Sequence, residues 1–279
     1  MKRLVLFVIT GMFLVLGVVL PTSTASAMGG NNRVGYVALG DSIAAGAGLS
    51  AAANATPEDL LCGRSPQSYP NIVAERLSKP LAAHIACGGA TAGDLVSRQK
   101  LNDEVSMPAQ IKTAFSQGKP ELMTITAGAN DLKWSTFVSK CLADTCGTAT
   151  DDTVIAGYQR AMKYKLHAAL MDIYVRSRGN PPQVVLTGYY NPFSTNCTLV
   201  NPAISAPEVT WIREKQEALN RTIENVTSYY NFATFAPVDF TGHDVCSPDS
   251  WIQGLTDRAP IHPTVRGQQA IADAILNEL

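Results

Sequence analysis

The stretch YVALGDSIAAGAG, residues 36–48, sets four apolar residues against an abrupt Gly40-Asp41-Ser42 and then a string of small residues. Such a run, bounded by a glycine, reads as a short strand buried on both faces. Gly, Asp and Ser are the residues that turn a chain and cap a helix, so Ser42 is expected at a strand-to-helix corner. Similar apolar runs recur: residues 34–39, 82–86, 122–127, 184–187 and 234–238 are expected strands. Helical patterns fall between most of them, at 69–77, 109–117, 152–176, 207–229 and 264–279. Alternation of this kind predicts βαβ units and hence an α/β fold.

Ligands gather outside the carboxyl ends of the strands in a parallel sheet. The segments that follow the expected strands are Gly40-Asp41-Ser42, Cys87-Gly88-Gly89-Ala90-Thr91, Gly128-Ala129-Asn130-Asp131 and Gly188-Tyr189-Tyr190-Asn191-Pro192. Ser42, Gly89 and Asn130 would then face one end of the sheet although they lie far apart in sequence. A serine that attacks an ester carbonyl creates an oxyanion, and preorganised N–H donors must hold it. The backbone N–H groups of Ser42 and Gly89 and the Asn130 amide are candidates. Each residue also has an ordinary reading as a turn or cap residue. Of the four histidines, His84 falls in a strand pattern and His167 in a helical one. His243 follows a loop turn, and His262 is held between Pro260 and Pro263 just before the last helix, which suits it best to act as general base.

Taken together, Ser42 in Gly-Asp-Ser, Gly89 in Gly-Gly-Ala-Thr, Asn130 in Gly-Ala-Asn-Asp and His262 before Pro263 resemble the four ordered blocks of the SGNH, or GDSL-type, hydrolase superfamily. The chain is most similar to the secreted, disulfide-containing esterase and lipase branch of actinobacterial type. That resemblance implies a three-layer α/β/α sandwich around a central, mostly parallel five-stranded sheet. It also implies a serine carboxylester hydrolase with an acyl-enzyme intermediate and no cofactor or metal. By the same resemblance His243, in Gly-His-Asp-Val-Cys ahead of Trp251-Ile252, belongs to a structural motif. A non-catalytic binding module on the same fold and a carbohydrate O-deacetylase are the competing readings. The G-x-S-x-G elbow of α/β-hydrolases is absent around Ser42.

One departure stands out. Most of the superfamily carries Asp three residues before the histidine, and this chain has Ala259 there. Without that carboxylate another group must accept the Nδ1–H hydrogen bond that fixes the imidazole tautomer. The resemblance to the disulfide-containing branch implies a Ser-His dyad supported by a main-chain carbonyl, and that of Ala259 is the expected acceptor; the Asp257 side chain, which would make a triad, is the rival.

The remaining features set the setting. Lys2 and Arg3 precede an apolar run to Leu20 and an Ala25-Ser26-Ala27 site, the pattern of a secretory signal peptide over residues 1–27. Residues 28–279 are then expected as one exported, extracellular hydrolase domain with no stable membrane span. Six cysteines after an export signal read as disulfides. Their order suggests pairing of neighbours, although about 15 connectivities are open. The resemblance implies three sequential bridges, Cys62–Cys87, Cys141–Cys146 and Cys197–Cys246. The chain has 22 Lys and Arg against 23 Asp and Glu; loss of Lys2 and Arg3 leaves 20 against 23, and no basic cluster is present. Nucleic acid is excluded as a partner by that balance. An ester substrate and a monomer are expected. Segments 132–152 and 189–210 are the expected substrate walls, with Trp134, Phe137, Tyr189, Tyr190 and Phe193 available to touch an acyl chain. Asn54, Asn196, Asn220 and Asn225 are N-glycosylation acceptors by sequence.

Overall fold

The computed structural model describes residues 33–116, 118–195, 197 and 204–279; the expected signal segment and Asn196 lie outside them. In chain order the elements are β1 (Arg33–Gly40), α1 (Ser42–Ala45), α2 (Pro57–Cys62), α3 (Tyr69–Arg76), β2 (Leu81–His84), β3 (Gln99–Lys100), β4 (Ser106–Met107), α4 (Gln110–Ser116), β5 (Lys119–Thr126), α5 (Trp134–Ala143), α6 (Ala149–Arg176), β6 (Gln183–Thr187), α7 (Ala206–Thr227), β7 (Ala233–Ala236) and α8 (Val265–Leu276).

Five strands form one sheet in the order β2-β1-β5-β6-β7, and every neighbouring pair is parallel. The middle strands β1, β5 and β6 are buried over most of their length, whereas the edge strands β2 and β7 are half-exposed. This explains why the middle strands read as continuous apolar runs instead of alternating ones. Two helix groups cover the sheet: α3 packs with α8, and α6 packs with both α4 and α7. The expected three-layer α/β fold is the one observed.

Strand order places the site. From β1 the chain crosses to β2 on one side, while β5, β6 and β7 add on the other, so the order reverses between β1 and β5. A reversal of this kind opens a crevice at the carboxyl ends of the two strands. Gly40 pairs with Thr126 there, with φ of +129°, and a Cβ at Gly40 would come within 2.2 Å of the Thr126 carbonyl oxygen. Only glycine fits so close an approach. The Gln110 amide then grips both sides of Gly40: its Oε1 accepts the Gly40 N–H at 2.7 Å and its Nε2 donates to the Gly40 carbonyl at 2.9 Å.

Three helices, α1, α2 and α5, lie outside the helical segments expected from sequence. The first two are too short for an amphipathic repeat to show, and α5 falls in the segment expected as a substrate wall. The start of α6 also moves: Thr148 and Asp151 form a reciprocal capping box, so the helix begins at Ala149, ahead of the expected 152. The bridges Cys62–Cys87, Cys141–Cys146 and Cys197–Cys246 are all present.

Candidate active site

Asp41 is the N-cap of α1. Its backbone is extended and its Oδ1 accepts the Ile43 N–H at 2.9 Å, which leaves Ser42 as the first helical residue. The Ser42 N–H has no protein acceptor among the described residues, as a first-turn amide does not. The Ser42 hydroxyl lies 2.8 Å from His262 Nε2. These two residues, 220 apart in sequence, are brought into hydrogen-bond contact.

The other ring nitrogen of His262 meets the carbonyl one residue along from the one expected. Nδ1 bonds the Pro260 carbonyl at 3.0 Å, whereas the Ala259 carbonyl accepts the backbone N–H of His262 itself at 3.2 Å. The physical reason lies in Ile261, which has φ of +65°. A left-handed β-branched residue is uncommon and costs on the order of 1–3 kcal/mol, and it turns the chain back so that the carbonyl two residues upstream meets the ring. Surrounding bonds impose this conformation. Ile261 N–H donates to the Gln253 carbonyl at 3.0 Å and Gln253 N–H to the His262 carbonyl at 2.7 Å, while the Tyr190 hydroxyl donates to the Ile261 carbonyl at 2.6 Å. Asp257, the rival support, turns away: its Oδ2 accepts the Gly254 N–H at 2.6 Å.

Burial holds the His262 pKa below the usual histidine value, and the Pro260 and Ala259 carbonyls pull it back upward. The ring is therefore neutral at neutral pH. With its proton on Nδ1 facing Pro260, Nε2 presents a lone pair to the Ser42 hydroxyl.

Asn130 lines the same cleft as Ser42 and His262. One of its amide hydrogens goes to the Ala90 carbonyl at 2.9 Å, and the second N–H is free to meet a ligand. Gly89 sits in an exposed turn with φ of +75°, outside the cleft lining but next to Ala90. Its neighbours Gly88 and Ala90 donate to the Cys62 and Cys87 carbonyls. Its own N–H has no protein acceptor among the described residues.

Two residues hold these turns together in a way the sequence reading did not give, since it left out Gln110 and named Tyr189 only as an aromatic of the substrate wall. Gln110 is one. Tyr189 is the other: its hydroxyl donates to Asp41 Oδ2 at 2.6 Å and accepts the Ala129 N–H at 3.2 Å, tying the turn after β1 to the turn after β5. Asn220 of α7 fixes Tyr189 in turn, accepting its N–H at 2.8 Å and donating to its carbonyl at 2.7 Å. Tyr189 had a signal, since it follows a strand as Ser42 and Asn130 do. Burial pushes Asp41 up to about 7, against the pull of Tyr189 and the α1 amides.

The cleft has a volume of about 470 Å³. Trp134, Val138 and Leu142 of α5 form one wall, and Tyr190, Pro192 and Ile261 contribute to the rest. Of the aromatic residues expected here, Phe137 and Phe193 belong instead to the core, Phe137 packing on Trp211 with ring centroids 6.0 Å apart. The other histidines are engaged elsewhere. His84 bonds the Ala44 carbonyl, His167 the Tyr230 hydroxyl, and His243 stacks on Trp251 with centroids 3.7 Å apart. Among the described residues one group of possible metal ligands converges, Cys197, Asp244 and Cys246, and its two sulfurs are bonded to each other.

Residues 38–270 match the family described as GDSL-like lipase/acylhydrolase. The chain belongs to that family. Similar proteins include "Lipase 2" of Streptomyces coelicolor, 29% identical across 95% of this chain and 92% of the relative, and a lipase of Streptomyces rimosus, 28% identical across 87% and 85%. Among solved structures, the extracellular lipase of Streptomyces rimosus superposes with a TM-score of 0.68 at 25% identity, over 88% of this chain and 99% of that one. Phospholipase A1 of Streptomyces albidoflavus gives 0.62 at 26% identity, over 88% and 98%. As a GDSL-like family member with lipase relatives, the chain is a carboxylic ester hydrolase.

Proposed function

We propose that this ester hydrolase works through a Ser42–His262 dyad whose imidazole is supported by main-chain carbonyl instead of carboxylate. The observation that carries the reading is the 2.8 Å contact between Ser42 Oγ and a neutral, half-buried His262. His262 Nε2 takes the hydroxyl proton as Ser42 Oγ attacks the ester carbon. The Ser42 N–H, the Gly89 N–H and the Asn130 amide hold the resulting oxyanion. Collapse expels the alcohol, which receives the proton from His262. Water, deprotonated by the same ring, then releases the acid from acyl-Ser42. The Pro260 carbonyl accepts the Nδ1–H throughout and stabilises the imidazolium that forms at each transfer.

The apolar cleft favours a substrate with an extended hydrocarbon part, in keeping with the lipases and phospholipase named above; an acetylated carbohydrate would find few polar partners along those walls. We place the enzyme outside the cell, exported on residues 1–27 and acting as a monomer. No described helix is long and apolar enough to cross a membrane.

Hydrolysis of p-nitrophenyl esters from acetate to palmitate, by the oxidised protein and by Ser42→Ala, tests the reading. Turnover lost by about 10⁶ in Ser42→Ala supports it. Equal rates in the two proteins would remove Ser42 from the chemistry, and a wild type that neither turns over esters nor reacts with a fluorophosphonate would leave a binding module.

A further inference from the structure

The Gly89 N–H belongs to a peptide between two glycines, Gly88 and Gly89. Such a peptide turns over easily, since neither neighbour has a side chain to oppose the rotation. In a trans peptide the C=O and the N–H point in opposite directions, so the way the Gly88 carbonyl is held decides where the Gly89 N–H faces. Turned over, this peptide would offer an oxyanion a carbonyl oxygen in place of a donor.

The Gly88 carbonyl is held by Gln99 of β3, whose Nε2 donates to it at 2.7 Å. Only the NH2 end of an amide can meet a carbonyl, which fixes the orientation of the side chain. The bond is sheltered, for Gln99 is 4% exposed. Met107, which pairs with Gln99 across the β3–β4 ribbon, packs with the Cys62–Cys87 bridge just ahead of the turn. The other amides of the turn are spent: Cys87 N–H donates to the Gly40 carbonyl at 2.9 Å, Gly88 N–H to Cys62 at 2.9 Å and Ala90 N–H to Cys87 at 3.1 Å. Within residues 87–90 the Gly89 N–H alone lacks a protein acceptor among the described residues. The far atom of the Gln99 amide, Oε1, is buried without a hydrogen-bond partner. An unpaired buried acceptor costs stability, and an apolar side chain would fill the same space without that cost. The bond to Gly88, and not packing, accounts for an amide at this position.

We propose that Gln99 is a positioning residue of the oxyanion site: by holding the Gly88 carbonyl it locks the Gly88–Gly89 peptide in the orientation that presents the Gly89 N–H to the reacting ester. The proposal rests on the place given to Gly89 in the mechanism above. Gln99 does not line the cleft; it acts through the main chain alone and transfers no proton.

The test compares Gln99→Met and Gln99→Glu with the wild type on one p-nitrophenyl ester, each rate being divided by the number of sites that a fluorophosphonate labels at completion. Met keeps the length and loses the donor. Its kcat should fall about tenfold, the factor given by one net hydrogen bond, with KM little changed and a melting temperature equal to that of the wild type or higher. Affinity for an alkylboronic acid, whose adduct on Ser42 is a tetrahedral anion, should fall by the same factor as kcat. A side chain with a merely structural role would lower the melting temperature and the number of labelled sites, and leave the boronate affinity of those sites unchanged. A kcat within twofold of wild type, or a loss of kcat without the matching loss of boronate affinity, would overturn the proposal. Glu restores the bond only while protonated, so the ratio of its kcat to that of the wild type should fall as pH rises from about 4 to about 9, the span over which buried carboxyls ionise; the titration of His262 is common to both proteins and cancels in the ratio. If Gln99→Met does not fold, this profile decides, and a flat ratio rejects the proposal. Ser42→Ala separates the two readings: if it abolishes turnover while Gln99→Met stays at the wild-type rate, the mechanism stands and the lock falls, whereas turnover that survives in Ser42→Ala removes the mechanism itself.

Discussion

Ser42 and His262 reach their 2.8 Å contact by two different kinds of construction. The Ser42 side is built on the buried middle of the sheet: β1 and β5 are locked in register, Gly40 packs against Thr126, and Gln110 and Tyr189 clamp the turns from either side. The His262 side has no strand beneath it. Residues 259–263 form a loop held by main-chain bonds to Gln253, the isolated bridge between Ile252 and Pro263, and the Tyr190 hydroxyl, around a left-handed Ile261. One half of the proposed dyad inherits its geometry from regular structure. The other is assembled residue by residue, and its position depends on individual hydrogen bonds.

That contrast can be broken at several points. On the sheet side, Asn130→Ala removes a side-chain donor from a turn whose backbone stays in place, so kcat should fall by about 10²–10³ with KM little changed; a loss below threefold would take the amide out of the oxyanion site. On the loop side, Tyr190→Phe deletes the hydroxyl that holds the Ile261 carbonyl. We expect a drop of about tenfold in kcat, the size of one hydrogen bond, together with faster amide exchange confined to residues 253–263. Exchange spreading into β1 would mean that the two halves are not built independently.

A third test uses protons. Folded Asp41 keeps its proton to about pH 7, against 3.8 for the unperturbed group. Between those values the folded chain binds more protons than the unfolded one, so this residue's contribution to stability is complete below about pH 4 and is lost as pH rises through 7. Urea unfolding at intervals across that range should show Asp41→Asn with a flatter pH dependence than wild type. An unchanged slope would assign the dependence to other groups. The smallest effect is expected from Asp257→Asn, whose side chain serves Gly254 and not the ring: kcat should stay within about twofold, and a loss of orders of magnitude would restore a carboxylate to the mechanism.

The same division explains what could be read from the residues alone. The five strands were visible because buried parallel strands carry unbroken apolar runs, and the turns that follow them were visible because glycine, aspartate and asparagine mark where such runs stop. The Pro260 carbonyl was not visible. Choosing it over Ala259 depends on the left-handed Ile261, a conformation imposed by Gln253 and Tyr190 from elsewhere in the chain. Gln110 escaped for a related reason: an isolated glutamine in a helix has no pattern, and its meaning comes from what the fold sets opposite it. In α5 the apolar residues Trp134, Phe137, Val138, Cys141 and Leu142 recur at helical spacing, so this helix was legible in the residues although the segment was read only as a wall.

The support behind His262 has a consequence of its own. A carbonyl is a dipole, whereas the aspartate found at that position in most of the superfamily is an ion. With a neutral imidazole and a neutral hydroxyl in front of it, the resting Ser42–His262 pair carries no formal charge. Dissolved salt acts on charges, damping them over about 8 Å at physiological ionic strength, and here it finds little to damp. Catalytic groups arranged in this way can keep their balance in brine and in dilute water alike.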